Sequence, residues 1–589
     1  MTKKYTISQE AQNEINRFKS AIIDLEAGKL EEDSFKRFRL NNGIYGIRGK
    51  EDEHMIRIKL PFGYLDADQL EVTAGLAEKY TPTKLSHVTT RQAIQLHNFK
   101  RSDIVAILTE VAEAGMTSRE ACGNTVRNLT SDELAGVHPD ELFDINPYAD
   151  LVYRYFLRNP ICQNLPRKFK IAFEGCPDSD RARIGIHDLG FRATSRVVDG
   201  KTEFGFISTV GGGLGSMPFA AFLLEEFVPF DEYLATAEAV IHMFDRHGNR
   251  RDKNRARIKF VIKEWGIEEF RKRFLAEKKA VMATRTGKYE NYVLNWPEET
   301  APEKTGAIDS APVDEAAFSE WKKSNVIQQK QAGYNAIYVR CLYGDLTPEE
   351  ARGVAQISRE YGGGRLRTTI TQNVIMRWIP EAATQAVFNR LAKLGLAEAN
   401  AQQLADITRC PGADTCNLAI THSKGLAIDL TENVFADVLA TDEELQHISI
   451  KISGCTNSCG QHHIGNIGFY GASRNVEGKQ LPHYQMLLGG RTGINHEDTQ
   501  FGQRIAMIPA RRIREAVKHL LSVYKNEKQS GETFIQWFDR VEKDYLIKIM
   551  QPYTQVDSLK VDPATMYEDL GDVVGNQFKV SVGKGECAA

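Results

Sequence analysis

The chain has 589 residues, about four domains' worth of material at roughly 150 residues per domain. Its 42% hydrophobic and 26% charged residues are those of a soluble globular protein and exclude a largely disordered, collagen-like or membrane-embedded chain. Lys plus Arg number 75 against 78 Asp plus Glu, a net charge of −3, so no overall field recruits nucleic acid or anionic lipid and any basic site is local.

The opening MTKKYTISQEAQNEINRFK is charged throughout, where a secretory leader would be apolar, and no window forms the long apolar run of a membrane span. A cytoplasmic protein with no membrane or nucleic-acid partner is expected. TTRQAIQLHNF (89–99) alternates, with Thr90, Gln92, Ile94 and Leu96 on one face and Thr89, Arg91, Gln95 and His97 on the other, and predicts a strand. A helix follows in 102–116, with Ile104, Ile107, Leu108 and Val111 forming one apolar stripe. In LPRKFKIAF, Lys168 and Lys170 project from one face of a predicted strand while Phe169, Ile171 and Phe173 pack behind. Taken alone, such a pair reads as a solvated sheet face. HGNRRDKNRARIKFVI (247–262) sets Arg255, Arg257 and Lys259 at period two ahead of an apolar run, a basic strand. From Tyr289 to Val326 three prolines and a surplus of acids read as a linker.

That linker divides the chain nearly in half, and the halves match in order. Arg91-Gln92 faces Thr371-Gln372 and Gly115 faces Gly395, both at an offset of 280. FKIAFEGCPDS (169–179) faces ISIKISGCTNS (448–458) at 279, and ATSRVVDGK (193–201) faces GASRNVEGK (471–479) at 278. The chain is a tandem duplication, expected to fold as a pseudo-twofold pair of α/β (α+β type) copies with mostly antiparallel sheets. The glycine runs 211–213 and 489–490 are equivalent and lack the strand and helix context of a dinucleotide fingerprint, so they read as backbone bends. No nicotinamide or flavin site is evident.

Nine cysteines are an odd number in a large chain, unlike a secreted disulfide framework. Cys410 and Cys416 lie in RCPGADTCNLA, and Cys455 and Cys459 in ISGCTNSCGQHHIGNIGF, both in turns rich in Gly. Four thiolates there suit an iron–sulfur cubane. A zinc site or a disulfide pair are the alternatives, although the five-residue gap is wide for a zinc knuckle. His462 and His463 read as neighbours of the site and not ligands, Cys122 as an ordinary buried cysteine, and Cys587 as an exposed thiol in the tail.

The pairing of C-P-G-x3-C-N-L-A with G-C-T-N-S-C-G in a duplicated chain resembles the siroheme and 4Fe–4S sulfite and nitrite reductase family, from RLNNGIYGIRG (39–49) to beyond Gly493. The resemblance implies that Cys410, Cys416, Cys455 and Cys459 hold the cluster and that Cys459 also bridges to the siroheme iron. It implies ferredoxin-like half-domains and two siroheme–cluster domains. The expected bounds are an N-terminal helical extension (1–50), half-domain and siroheme domain of the first copy (51–120, 121–287), linker (288–326), half-domain and cluster domain of the second copy (327–400, 401–560), and a tail (561–589).

The copies differ in their chemistry. Arg127 stands opposite Cys416, Arg91 opposite Thr371, and Lys168 and Lys170 opposite His447 and Ser449. The first copy supplies cations and the second supplies ligand cysteines. By resemblance, Arg91, Arg127, Lys168 and Lys170 bind and protonate an oxyanion, while Arg91, Arg255, Arg257 and Lys259 grip the carboxylates of siroheme. The expected activity is six-electron reduction of sulfite to sulfide in sulfate assimilation, fed by an external ferredoxin or flavoprotein. Nitrite reduction to ammonia and a non-catalytic zinc or iron–sulfur protein are the rivals. Within the family, K-F-K at 168–170 points to sulfite, because nitrite reductases typically carry Asn where this chain has Lys170.

Overall fold

The structure, a computed structural model, describes residues 5–284, 288–290, 292–303, 305–308, 311, 313–435, 442–476, 478–494, 498–555, 565–572, 575–581 and 583. Cys587, and Glu477 of the repeat, lie outside the described residues. The described strands form four five-stranded sheets, two per copy.

The ferredoxin-like half-domain of the first copy orders its strands Ile44–Ile47, Lys50–Ile58, Ile94–Lys100 and Ser86–Val88, all antiparallel, and then adds Asp345–Leu346 from the second copy. The second half-domain reciprocates. Its strands Val326–Gln328, Tyr334–Val339, Val374–Pro380 and Arg365–Thr368 are completed by Tyr64–Asp66 of the first copy. Each exchanged strand runs into a helix, Ala67–Tyr80 or Pro348–Gly362, whose first turn is closed by a capping box, Asp66 with Gln69 and Thr347 with Glu350. The two helices pack on each other, and Leu70 and Ala74 share one core with Val354 and Ala355. Two half-domains therefore bury a single apolar interior.

The remaining sheets are equivalent to each other: Thr130–Ser131, Ile171–Glu174, Leu189–Val198, Lys201–Val210 and Phe222–Pro229, and Thr408–Arg409, Ile450–Ser453, Ile467–Val476, Lys479–Leu488 and Gln503–Pro509. In both, the first three strands are parallel and the last two antiparallel. The expectation of mostly antiparallel sheets thus holds for the half-domains and is corrected here. In each sheet the first parallel pair is joined through a crossover helix, Asn146–Phe156 or Ser423–Asn433, and the second through a loop with one 3-10 turn, Ile184–Ile186 or His462–Ile464. Each of these domains has its own core.

Four local readings change. Residues 89–93 form a turn in which Gln92 has φ 50° and Thr89 N donates to Ala93 O, so the strand begins only at Ile94. The stretch 247–262 is no strand: Lys253–Arg255 is a short 3-10 turn and Ile258–Trp265 an α-helix. The linker is a docked strap. Trp296 packs edge-on against Phe62 and Tyr64, Glu299 faces Arg377, and Glu315–Asn325 is helical with Trp321 fully buried. The N-terminal extension has helices Gln9–Glu26 and Glu32–Asn41, but Ile44–Ile47 already belongs to the first sheet. Among the described residues no helix is long and apolar enough to cross a membrane.

Candidate active site

A cavity opens where the two copies meet. Nine of its lining residues are Arg or Lys, and none is Asp or Glu. All nine come from the first copy, and the opposite wall is Asn457, Ser458, Cys459 and Gln461 of the second.

Arg91 enters from the 89–93 turn. Its Nη2 donates to Asn128 O at 2.6 Å and its Nη1 lies 3.2 Å from His187 Nε2. His187 Nδ1 is 2.9 Å from Arg183 O, so that nitrogen carries the proton and Nε2 is left to accept from Arg91. Burial, and then the charge of Arg91, hold the imidazole well below its ordinary pKa. Arg127 is fixed by the carbonyls of Gly123 and Ala121 at 3.1 and 3.0 Å. Lys168 and Lys170 flank the bridge of Phe169 to Val126, just before the strand Ile171–Glu174, so both line the cavity while Phe169, Ile171 and Phe173 are buried behind.

Asp188 braces this wall from beneath. It accepts from Arg257 twice, Nε at 3.1 Å and Nη2 at 2.7 Å, and from Lys170 N at 2.9 Å. In the second copy Asn466 stands at the equivalent place and accepts from Ser449 N at 2.8 Å, so the brace has survived and the charge has not. Lys259 Nζ donates to the carbonyls of Gly213, Leu214 and Met217. Arg257 and Lys259 therefore spend hydrogen bonds on holding the 212–217 wall. Gly212 can have no side chain there, because a Cβ would come within 2.6 Å of the Gly185 and His187 carbonyl oxygens; Gly490 meets His463 and Gly465 in the same way. The glycine runs are bends, as read from the sequence, and the close approach is of backbone to backbone.

Arg255 does not join the others. Its side chain is 69% exposed and lies near Asp252, away from the cavity. Period two placed it with Arg257 and Lys259, whereas the chain turns between them. Sequence reasoning missed Arg57, His187, Arg167, Lys253 and Gln461, which line the cavity. Arg57 lies on the strand Lys50–Ile58 between buried Ile56 and Ile58 and bonds Tyr45 Oη at 3.0 Å. One arginine on an alternating strand carries no signal in a single sequence. His187 was within reach, since it opens HDLGF (187–191), which faces GNIGF (465–469) at an offset of 278 and carries His where the second copy has Gly465.

Of the four cysteines, Cys455 lies close enough to Cys459 and Cys410 to feel their charge. Cys410 Sγ accepts from Gly454 N at 3.2 Å, and Cys455 is held up at about 12 by burial and then by the like charges of Cys459 and Cys410. Arg48 of the first copy donates to Ala419 O at 2.5 Å and reaches Cys416 O at 3.4 Å. Thr90 Oγ1 donates to Cys459 O at 2.8 Å. Cys459 alone of the four lines the cationic cavity. His462 is buried, and buried His463 lies 2.9 Å through Nε2 from Gly215 O. Cys122 is buried with Leu40, Tyr45, Ile47 and Met55.

The donor set fits a polycarboxylate tetrapyrrole beside an iron–sulfur cluster. The cationic wall has no acidic lining residue to balance it, and Arg91 Nε is buried with no hydrogen-bond partner among the described residues. Burial, and then Arg127, draw Arg91 down to about 9, a deficit that bound carboxylates reverse. Soft thiolates in turns with an amide aimed at sulfur suit iron–sulfur chemistry.

The family described as "Nitrite and sulphite reductase 4Fe-4S domain" matches residues 122–281 and 400–556, and that described as "Nitrite/Sulfite reductase ferredoxin-like half domain" matches 47–114 and 327–394. Similar proteins include an assimilatory ferredoxin-dependent nitrite reductase of Haloferax mediterranei, 28% identical over 88% of this chain and 87% of its own. A ferredoxin–nitrite reductase of Synechococcus elongatus is 29% identical over 78% and 84%. Sulfite reductase (ferredoxin) 1 of Mycolicibacterium paratuberculosis is 28% identical over 84% and 83%. The NirA protein of Mycobacterium tuberculosis shares the fold, with a TM-score of 0.74 at 23% identity over 92% of this chain and 97% of that one.

Proposed function

Because the chain belongs to the nitrite and sulfite reductase family, an oxidoreductase family that carries siroheme and a 4Fe–4S cluster, we propose that it reduces sulfite to sulfide with electrons from an external donor. The observation that supports a coupled two-metal site is the position of Cys459, the one cluster cysteine that opens into the cationic cavity. Cys410, Cys416, Cys455 and Cys459 would hold the cluster in this reading, Cys459 being the one that also faces the cavity. When bound, the two cofactors supply the iron that takes the anion and the electrons that reduce it.

The residues of the chain do the rest. Arg57, Arg91 and Arg127 offset the charge of the oxyanion and fix its orientation. Lys168 and Lys170 hold protons at Nζ for oxygens that leave as water. Burial, and then Arg91, Arg257 and Lys168, push Lys170 well below its ordinary pKa, which makes its ammonium a stronger acid. His187 stays neutral and keeps Arg91 aimed inward. The donor is a ferredoxin or a flavoprotein subunit acting in the cytoplasm.

The substrate rests on Lys170. Sulfite can carry two charges and loses three oxygens, so a second ammonium adds both counter-charge and acid; nitrite carries one charge and needs less of each. Wild type should prefer sulfite in kcat/KM with a chemical reductant, and Lys170→Asn should lower sulfite efficiency more than nitrite efficiency. A wild type that strongly prefers nitrite, or a variant that loses both equally, turns the assignment to nitrite reduction. That second reading is favoured by the nitrite reductase names of the Haloferax and Synechococcus relatives.

A further inference from the structure

A second cavity lies across the pseudo-twofold from the catalytic one, and its walls include the duplicated counterparts of the catalytic walls. Thr371 lines it where Arg91 lines the first, Ser449 where Lys170 does, and Asp180 where Cys459 does. The cavities meet at Arg183 and Gln461. These two hold equivalent places, share left-handed backbone (φ 54° and 62°), and bond to each other, Arg183 Nη1 donating to Gln461 Oε1 at 3.0 Å.

The second cavity lacks the counterparts of Arg91 and Lys170 and is lined instead by Arg181, Arg183, Lys451 and Arg491 together with the acids Glu133 and Asp180, of which Glu133 lies 3.7 Å from Arg181. Lys451 follows Ser449 by two residues on the same strand face, where the first copy has Ala172. Its side chain is buried and its Nζ donates to Thr408 Oγ1 at 3.1 Å. The carboxylate that acts on it, Asp406, already accepts from Asn373 and Gln402. Around Arg183 the acids are likewise engaged: Asp180 is paired with Arg192 at 3.0 Å, and Glu133 accepts from Tyr338 and Gln402. Arg491, at the same cavity, pairs with Asp539 at 3.0 Å. Neither Lys451 nor Arg183 has a hydrogen-bonded carboxylate among the described residues, and burial draws both below their ordinary pKa. Lys451 is buried and Arg183 half-buried at one cavity, and because the lining acids Glu133 and Asp180 are committed to other partners, a small anion taken up between the two cations offsets the cost of desolvating them. Two charges, and no thiolate at the mirrored position, suit a small anion and not a second tetrapyrrole.

We propose that this cavity is a second, non-catalytic anion site that holds one small inorganic oxyanion between Arg183 and Lys451. The inference rests on the duplication and is independent of which anion the catalytic cavity reduces. Crystals of the holoenzyme grown without sulfate or phosphate and soaked in selenate should show an anomalous peak within hydrogen-bond distance of both side chains. Calorimetric titration of the holoenzyme with sulfate should require one more site in wild type than in Lys451→Met. Loss of that charged hydrogen bond weakens the site at least about tenfold. Lys451→Gln, which keeps a donor for Thr408, replaces the methionine variant if that fails to fold. No anomalous density between Arg183 and Lys451, or variants that titrate like wild type, overturns the proposal.

Discussion

Cys459 lines the cavity, and its carbonyl accepts from Thr90 Oγ1 of the other copy. Cys459→Ser should therefore cost more than a cluster ligand: the purified variant should lose the magnetic coupling between haem and cluster, and ordinary turnover with coupled spectra would remove Cys459 as the bridge. Asp188 acts through others. Asp188→Asn should keep the Lys170 amide bond, as Asn466 keeps that of Ser449, while leaving buried Arg257 without its carboxylate; a loss of about 3–5 kcal/mol in denaturant melts is expected for breaking such a pair. An unchanged midpoint would show that Arg257 has another anchor. Lys259 sets a pH dependence. Burial, and then Arg257, bring it down to about 7 in the ligand-free pocket, and an anionic cofactor raises it again. Siroheme uptake by the apoprotein then carries a proton with it: affinity is level below about pH 6 and falls by up to about tenfold per pH unit above 7. Uptake followed by absorbance from pH 6 to 9 tests this, and a flat profile contradicts it.

At the scale of elements, what was legible in the sequence follows from what the duplication kept. Gln92 and Gln372 are the clearest case: each accepts from a backbone amide, of Ser131 and of Arg409, and each donates to the other copy, to Thr368 O and to Val88 O. Such residues hold backbone against backbone, so they survive in both copies and give the constant offset. The cysteine turns were legible because soft ligands at fixed spacing have few other uses. The exchanged strands were not, since Tyr64–Asp66 and Asp345–Leu346 are too short to show any period. The basic stretch misled because alternation over five residues, Arg255 to Lys259, fits a strand as well as the entry to a helix, and the turn at Lys253–Arg255 sends Arg255 to solvent. Arg57 escaped for the opposite reason: its strand position was regular and its role depends on residues far along the chain.

The whole molecule is closed by exchange. Cutting the chain between 303 and 314, within the strap, leaves each fragment with one ferredoxin-like sheet lacking its edge strand and half of a shared core. Expressed alone, each should aggregate; expressed together, they should co-purify as one complex that loads both cofactors, since the contacts that join them are already non-covalent. Fragments that are separately monomeric and soluble would show that the half-domains are self-sufficient.

The covalent link between the copies has a further consequence, for heredity. In a symmetric dimer of identical chains, any codon that put a lysine in one cavity would put it in both, and a cysteine gained for one wall would appear on the other. Once both copies lie in one reading frame, position 170 and position 449 mutate separately, and Lys can stand at one and Ser at the other. The strap is what allows a twofold body to have two different interiors.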